Sequence, residues 1–153
     1  MKHIVHLSAE KRLAALGQLL AESARTALEV AQADPGDMSL ALVGEDQIQD
    51  LNRQFAGHDY PTDVLSFPND SIEPETERRY FGDVVIAVPI AAKQAEQSGH
   101  SLQAELTLLT VHGVLHLLGF DHDSPSQQKA MWSVQTEILQ RLNCEVTSPE
   151  EHA

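Results

Sequence analysis

The chain has 153 residues, enough for one domain, and its core must be mainly aliphatic because 42% of residues are hydrophobic but only 5% aromatic. A net charge of −13 excludes a general positive field for gripping nucleic acid, and the single cysteine, Cys144, excludes an internal disulfide and suits a reducing cytoplasm. The opening M-K-H-I-V-H-L-S is too briefly apolar for a signal peptide, and no run nears the ~20 apolar residues that cross a membrane.

In chain order, Lys2 to Leu7 reads as a short strand, with His3 and His6 facing solvent. Ser8 is the expected N-cap of a long helix to about Ala33, with Leu13, Leu16, Leu20, Ala24, Ala27, Leu28 and Ala31 as its apolar stripe. D-P-G-D (Asp34 to Asp37) is a turn, and Met38 to Val43 a second strand ended by Gly44. Glu45 and Asp46 suit the first turn of a helix that runs to about Phe55, with Ile48, Leu51 and Phe55 inward and Gly57 as its stop. His58 to Asp63 is a loop. Val64 to Phe67 is a short strand closed by Pro68, and Asn69 to Arg79, rich in acids, is a solvated loop. Tyr80 to Val88 is the partner strand, with V-V-I-A-V buried on both faces. Asp83 inside this strand needs a partner, either at the functional site or at a turn or sheet edge.

Pro89 opens a helix to about Gln97, ended by S-G-H. Ser101 caps a helix from Leu102 to Leu118, packed through Leu102, Leu106, Leu109, Leu115 and Leu118. Ser124, Pro125 and Gln127 start the last helix, which runs to about Leu142 with Met131, Val134, Ile138, Leu139 and Leu142 inward. Trp132 is a core or sheet-covering residue, and Cys144 a small apolar one. Residues 1–146 are expected to form a single domain and residues 147–153 a disordered tail. The expected class is α+β: one small mixed β-sheet of about four strands packed with about five helices.

The stretch Thr110 to Asp123, T-V-H-G-V-L-H-L-L-G-F-D-H-D, carries the chemistry. His112 and His116 are four residues apart, so on a helix both rings leave one face within about 40°. That spacing lets two imidazoles hold one Zn²⁺. Gly119 can end the helix and turn the chain, which returns His122 as a third ligand. Three protein ligands leave a fourth position open, the catalytic rather than the structural pattern. Imidazole also suits Ni, Cu and Fe, so one divalent ion per chain is expected, with Zn²⁺ first. His ligands usually donate their second N–H to a carboxylate or carbonyl, which makes Asp121, Asp123 and Asp83 candidate supports. Asp121 can instead shape the turn.

The skeleton H-x-x-x-H-x-x-G-x-x-H resembles that of the metzincin proteases, which carry a Glu base directly after the first His. Here that position is Gly113, so the protease base is missing. The fuller string H-G-V-L-H-L-L-G-F-D-H resembles the YbeY family of bacterial metal-dependent endoribonucleases. P-T-D-V-L-S-F-P (Pro61 to Pro68) and G-D-V-V-I-A (from Gly82) resemble it too. The resemblance implies a small mixed sheet with the metal helix packed against it. It also implies cleavage of single-stranded RNA in 3′-end maturation of small-subunit rRNA and in ribosome quality control, in the cytoplasm. The partners it implies are ribosomal RNA and the ribosome or its proteins, with no membrane and no DNA.

The family pattern L-N-x-x-[FY]-R-G-K-D reads L-N-R-Q-F-A-G-H-D here, from Leu51 to Asp59. Ala56 takes the Arg position and His58 the Lys position. Arg53, one helical turn earlier, is then the expected catalytic cation beside His112 and His116. Arg53, His58 and Ser66 are the expected substrate contacts, and weak, salt-sensitive activity is the expectation. Two other readings fit the same residues: a metal-dependent hydrolase of a peptide or small molecule, and a non-catalytic ribosome-associated module with a structural metal.

Overall fold

Two strand–helix units open the chain. β1 (His3–Ser8) leads through a 3-10 turn at Lys11–Leu13 into α1 (Ala14–Val30), and β2 (Gly36–Val43) leads into α2 (Glu45–Ala56). A hairpin of β3 (Val64–Ile72) and β4 (Arg79–Ala87) follows, then α3 (Val88–Ser98), α4 (Leu102–Leu117) and α5 (Pro125–Arg141). The computed structural model describes residues 2–144, so the expected tail lies outside the described residues. The sheet order is β1-β2-β4-β3; β1–β2 and β2–β4 are parallel, and β3–β4 is antiparallel. The class is the expected one, α+β, with one four-stranded mixed sheet and five α-helices among the described residues.

Strand alternation divides the core into two layers. Met38, Leu40, Leu42, Val84 and Ile86 join the larger cluster with Leu20 and Leu28 of α1, Leu106 and Leu115 of α4, and Ile138 of α5. Val85 and Ala87 face the other way, onto Ile48 of α2, with Leu51, Leu65, Phe67 and Ile90 around them. α4 is buried well beyond its leucine face. From Ala104 to Leu117 every residue is buried except His112 and His116, which are half-buried. A helix apolar nearly all round sits inside the molecule. Beyond its first turn, the two histidines are where it meets solvent.

The structure departs from the sequence reading where tertiary partners override local signals. His3 is 3% exposed, not solvent-facing: its Nε2–H donates to the carbonyls of Ala33 and Asp34, both at 3.1 Å. His6 is exposed, as expected. Ser8 ends β1 rather than capping a helix, because the backbone extends one residue further in pairing with Ala41. Phe55 is 67% exposed instead of inward, and its ring meets Phe67 edge-on at 5.5 Å between centroids. β2 begins at Gly36, inside the expected turn.

β3 runs through Pro68 to Ile72, because it is an edge strand and an edge proline sacrifices no ladder bond. The register slips between Pro68 and Ser71 opposite Gly82, where an added Cβ would lie 2.1 Å from the Phe67 carbonyl oxygen, so only glycine fits. Arg78, expected in a solvated loop, is a clamp. Its Nε–H donates to Asp37 Oδ1 at 2.8 Å, and its Nη2 donates to the Lys2 and Gly36 carbonyls at 3.2 and 3.1 Å.

Candidate metal centre

α4 delivers two candidate ligands by its own periodicity, and the loop after its C-terminus delivers the third. The Ser101 hydroxyl starts the helix by accepting the Ala104 N–H at 3.1 Å. At the far end Gly119 takes a φ of 93°, and the Phe120 N–H closes back on the Leu115 carbonyl at 3.0 Å. The chain reverses and brings His122 over the helix end. The loop is pinned twice: Asp121 Oδ1 accepts the His122 N–H at 2.7 Å, and Gln128 of α5 donates to the His122 carbonyl at 3.2 Å.

The three rings converge. Centroids are 4.6 Å apart for His112 and His116, 5.4 Å for His116 and His122, and 6.1 Å for His112 and His122. One nitrogen from each lies within 4.8 Å of the others. His112 Nε2 and His116 Nε2 are 3.0 Å apart. Two imidazole nitrogens on one tetrahedral Zn²⁺ would be about 3.3 Å apart, so the spacing fits a shared ion closely.

The donor chemistry fits as well. His112 Nδ1–H donates to Gln135 Oε1 of α5 at 3.1 Å, which leaves the Nε2 lone pair aimed at the cluster. Burial pushes the His116 pKa below its ordinary value, with help from neighbouring His122, while Asp121, a backbone hydrogen bond to Phe120 and Asp123 pull the other way. A neutral imidazole is the form that binds a metal. The His122 N–H donated to Asp121 is the main cause holding that carboxyl below the usual carboxylate range.

The cleft in front of His112 and His116 is lined by Val64, Leu65, Ser66 and Pro68 of β3 and by Gly119, Phe120 and Asp121. Ser66 stands in it with its hydroxyl donated to the Gly113 carbonyl at 3.2 Å. Gly113 explains the missing protease base. A Cβ there would lie 2.7 Å from Val84 Cγ1 and 3.3 Å from Ser66 Oγ, so this helix position is pressed against the sheet. A Glu side chain has no room.

Not every expected residue is brought to the cluster. Asp83 points to the other sheet face, since its neighbour Val84 faces α4; its carboxylate accepts from the Tyr80 hydroxyl, which also bonds Ser39 at 2.7 Å. Asp83 lies on an interior strand, so the edge alternative does not hold either. Arg53 and His58 lie outside the cleft lining. The Arg53 guanidinium is 2.9 Å from Asp50 and 3.7 Å from Asp59, and the His58 ring lies 5.4 Å from Tyr60. Asp121 and Asp123 flank His122, and with it form a second possible cation cluster. Gln135, 1% exposed, was missed by sequence reasoning. Its signal was a polar residue within the stripe Met131–Ile138–Leu139, where burial demands a partner.

The chain is similar to known proteins along nearly its whole length. The family model described as Endoribonuclease YbeY matches residues 4–143. A protein named Endoribonuclease YbeY from Thermobifida fusca is 44% identical over 126 residues, covering 78% of this chain and 81% of that one. One of the same name from Bacillus licheniformis is 43% identical over 139 residues, covering 86% of each. Among solved structures, the solution structure of TM1509 from Thermotoga maritima superposes with a TM-score of 0.60 at 26% identity, covering 91% of each chain. With nearly its whole length matched and its three histidines gathered on one helix end, the chain belongs to the YbeY endoribonuclease family.

Proposed function

We propose that the protein is a metal-dependent endoribonuclease that cuts single-stranded RNA. In this reading it acts on ribosomal RNA in the cytoplasm, in 3′-end maturation of the small-subunit rRNA and in ribosome quality control. The observation that carries the reading is the convergence of His112, His116 and His122 at the mouth of a cleft, in a chain of this family.

His112, His116 and His122 would hold one divalent ion, Zn²⁺ first and Ni²⁺ among the alternatives. When bound, such an ion supplies Lewis-acid polarisation of a phosphoryl oxygen and of water. The chain's own residues do the rest. Gln135 fixes the tautomer of His112. Burial lowers the His116 pKa, which favours the neutral ring. The β3 wall excludes water from one side, and Ser66 retains acceptor lone pairs toward the cleft after donating to Gly113. Arg53 is the proposed phosphate contact, reaching RNA outside the cleft, where the two carboxylates near it orient the side chain and weaken its field. His58 is a second proposed contact.

The test is cleavage of a labelled single-stranded RNA at fixed salt, with His112→Ala as the blank for contaminating nucleases. Wild type should cut weakly, and chelation should stop it. Ala56→Arg should raise the rate about 10–100-fold, since a charge-assisted contact to phosphate contributes roughly 1.5–3 kcal/mol. Arg53→Ala should lower it. Wild type equal to the blank, with no gain from Ala56→Arg, would turn the reading toward a non-catalytic ribosome-associated module. Peptide turnover would turn it toward another hydrolase.

A further inference from the structure

Behind the cleft wall runs a chain of polar side chains that the metal centre does not use. Glu105 is 0% exposed, two turns before His112 on α4. One of its carboxylate oxygens accepts from His100 Nε2–H at 2.5 Å. The other lies 3.1 Å from one terminal atom of the Gln94 side-chain amide on α3, and the same atom lies 3.1 Å from Asp63 Oδ2; because both neighbours are carboxylate oxygens, which only accept, that atom is assigned as the amide nitrogen. An amide nitrogen carries two hydrogens, so Gln94 donates to both carboxylates at once. Asp63 Oδ1 accepts the Val64 N–H at 2.8 Å and the Thr62 hydroxyl at 3.3 Å. The Asp63 carbonyl accepts the Ala87 N–H at 2.9 Å. Val64 is the first residue of β3 and lines the histidine cleft with Ser66.

Two carboxylates sharing a site repel unless a donor lies between them. An uncharged amide donates to both without adding charge. Directional bonds of this kind tie three elements together: α4 through Glu105, α3 through Gln94, and the entry to β3 through Asp63. Apolar packing alone tolerates small slides; a satisfied polar network selects one arrangement. We propose that Gln94 is a positioning residue for the histidine cleft: by bridging Glu105 and Asp63 it holds the β3 wall, Val64 to Ser66, in fixed relation to the α4 histidines. Its effect on catalysis rests on the endoribonuclease reading above, whereas its effect on the cleft wall does not.

Gln94→Glu keeps the shape and sets a third carboxylate against the first two. Gln94→Met removes the donors without adding charge. Both are compared with wild type in the full chain by amide hydrogen exchange, zinc content and steady-state cleavage of single-stranded RNA. Val64 and Leu65 should exchange at least about tenfold faster while α1 amides and zinc content stay unchanged. The value of kcat should fall about 10–100-fold with little change in KM, the effect of misplacing one wall of a reacting cleft. Adding Asp63→Asn to Gln94→Glu returns a donor between positions 63 and 94 and should recover most of the loss.

Unchanged exchange at Val64 and Leu65 in both variants overturns the proposal. So does faster exchange with unchanged kcat, or a loss of zinc alongside it, since the bridge would then serve stability or the helix rather than the wall. If both variants fail to fold, the role is global and the proposal also falls. A wild type that cuts no RNA sinks the endoribonuclease reading alone, and the exchange contrast at constant zinc content still decides the wall.

Discussion

Gln135 decides which nitrogen His112 would offer to an ion. By accepting from Nδ1–H it leaves Nε2 unprotonated in the neutral ring. Gln135→Leu keeps roughly the same volume and removes the acceptor. It should weaken zinc affinity about 10–100-fold, read by competition against a chromogenic chelator. Affinity equal to wild type would show that the ring is oriented by packing alone. Gly113 acts by absence. Its missing Cβ admits Val84 and Ser66, so Gly113→Ala should cost about 1–3 kcal/mol of unfolding free energy in urea titration through overpacking. Gly113→Glu should cost more and add no peptidase activity. A stable Gly113→Glu protein that cleaves peptides would overturn the steric explanation.

α4 is the element on which the site depends, and its boundaries were legible because both ends carry local chemistry. The Ser101 cap is a single hydrogen bond to Ala104 N–H, so Ser101→Ala should lower stability by about 1 kcal/mol in chemical denaturation without changing zinc stoichiometry. An unchanged midpoint would mean that the core-bound helix needs no cap. The expected leucine face was only part of the answer. Thr107 and Thr110 are also buried, their hydroxyls donating back to the Gln103 and Leu106 carbonyls at 2.8 Å each. Hydroxyls satisfied within the helix can face the core, which a polar-versus-apolar pattern cannot foresee. β3 was misjudged for a related reason: Pro68 is a stop signal in a central strand but not at an edge, and strand order is not written in the chain locally.

Across the whole molecule, Arg78 closes the sheet at the start of β4 by holding Asp37 of β2, which also accepts from His6 at 2.8 Å. Burial pushes the Asp37 pKa up, but the His6 and Arg78 hydrogen bonds outweigh it, and the net shift is downward. A carboxyl with a depressed native pKa adds stability above its unfolded pKa of about 3.9, and that stability is lost as pH falls through the lower native value. Arg78→Met should therefore be less stable than wild type near neutrality, and the gap should narrow below about pH 4. Urea midpoints at pH 7 and pH 3 check this; a gap that is constant or widens in acid would show that the clamp acts through its carbonyl contacts instead. The net charge of −13 shapes the same molecule from outside, and no helix among the described residues is long and apolar enough to cross a membrane.

His112 and His116 were readable as a pair because a helix makes residue spacing equivalent to direction. Gly119 and His122 were readable because glycine announces a reversal. The order of helices and strands followed from periodicity, caps and breakers, all of them interactions within a few residues. What lay beyond this was decided by contacts between residues far apart in the chain. His3 is buried because carbonyls some 30 positions away receive its ring proton, and Asp83 belongs to the Tyr80–Ser39 chain because it falls on the sheet face away from α4. Gln135 and His112 meet only because α5 packs on α4, and Gln94 meets Asp63 only because α3 lies beside the entry to β3. Local signals therefore determined the three candidate ligands, and tertiary packing determined what holds them, since a side chain's partner across the core depends on topology that no short window contains.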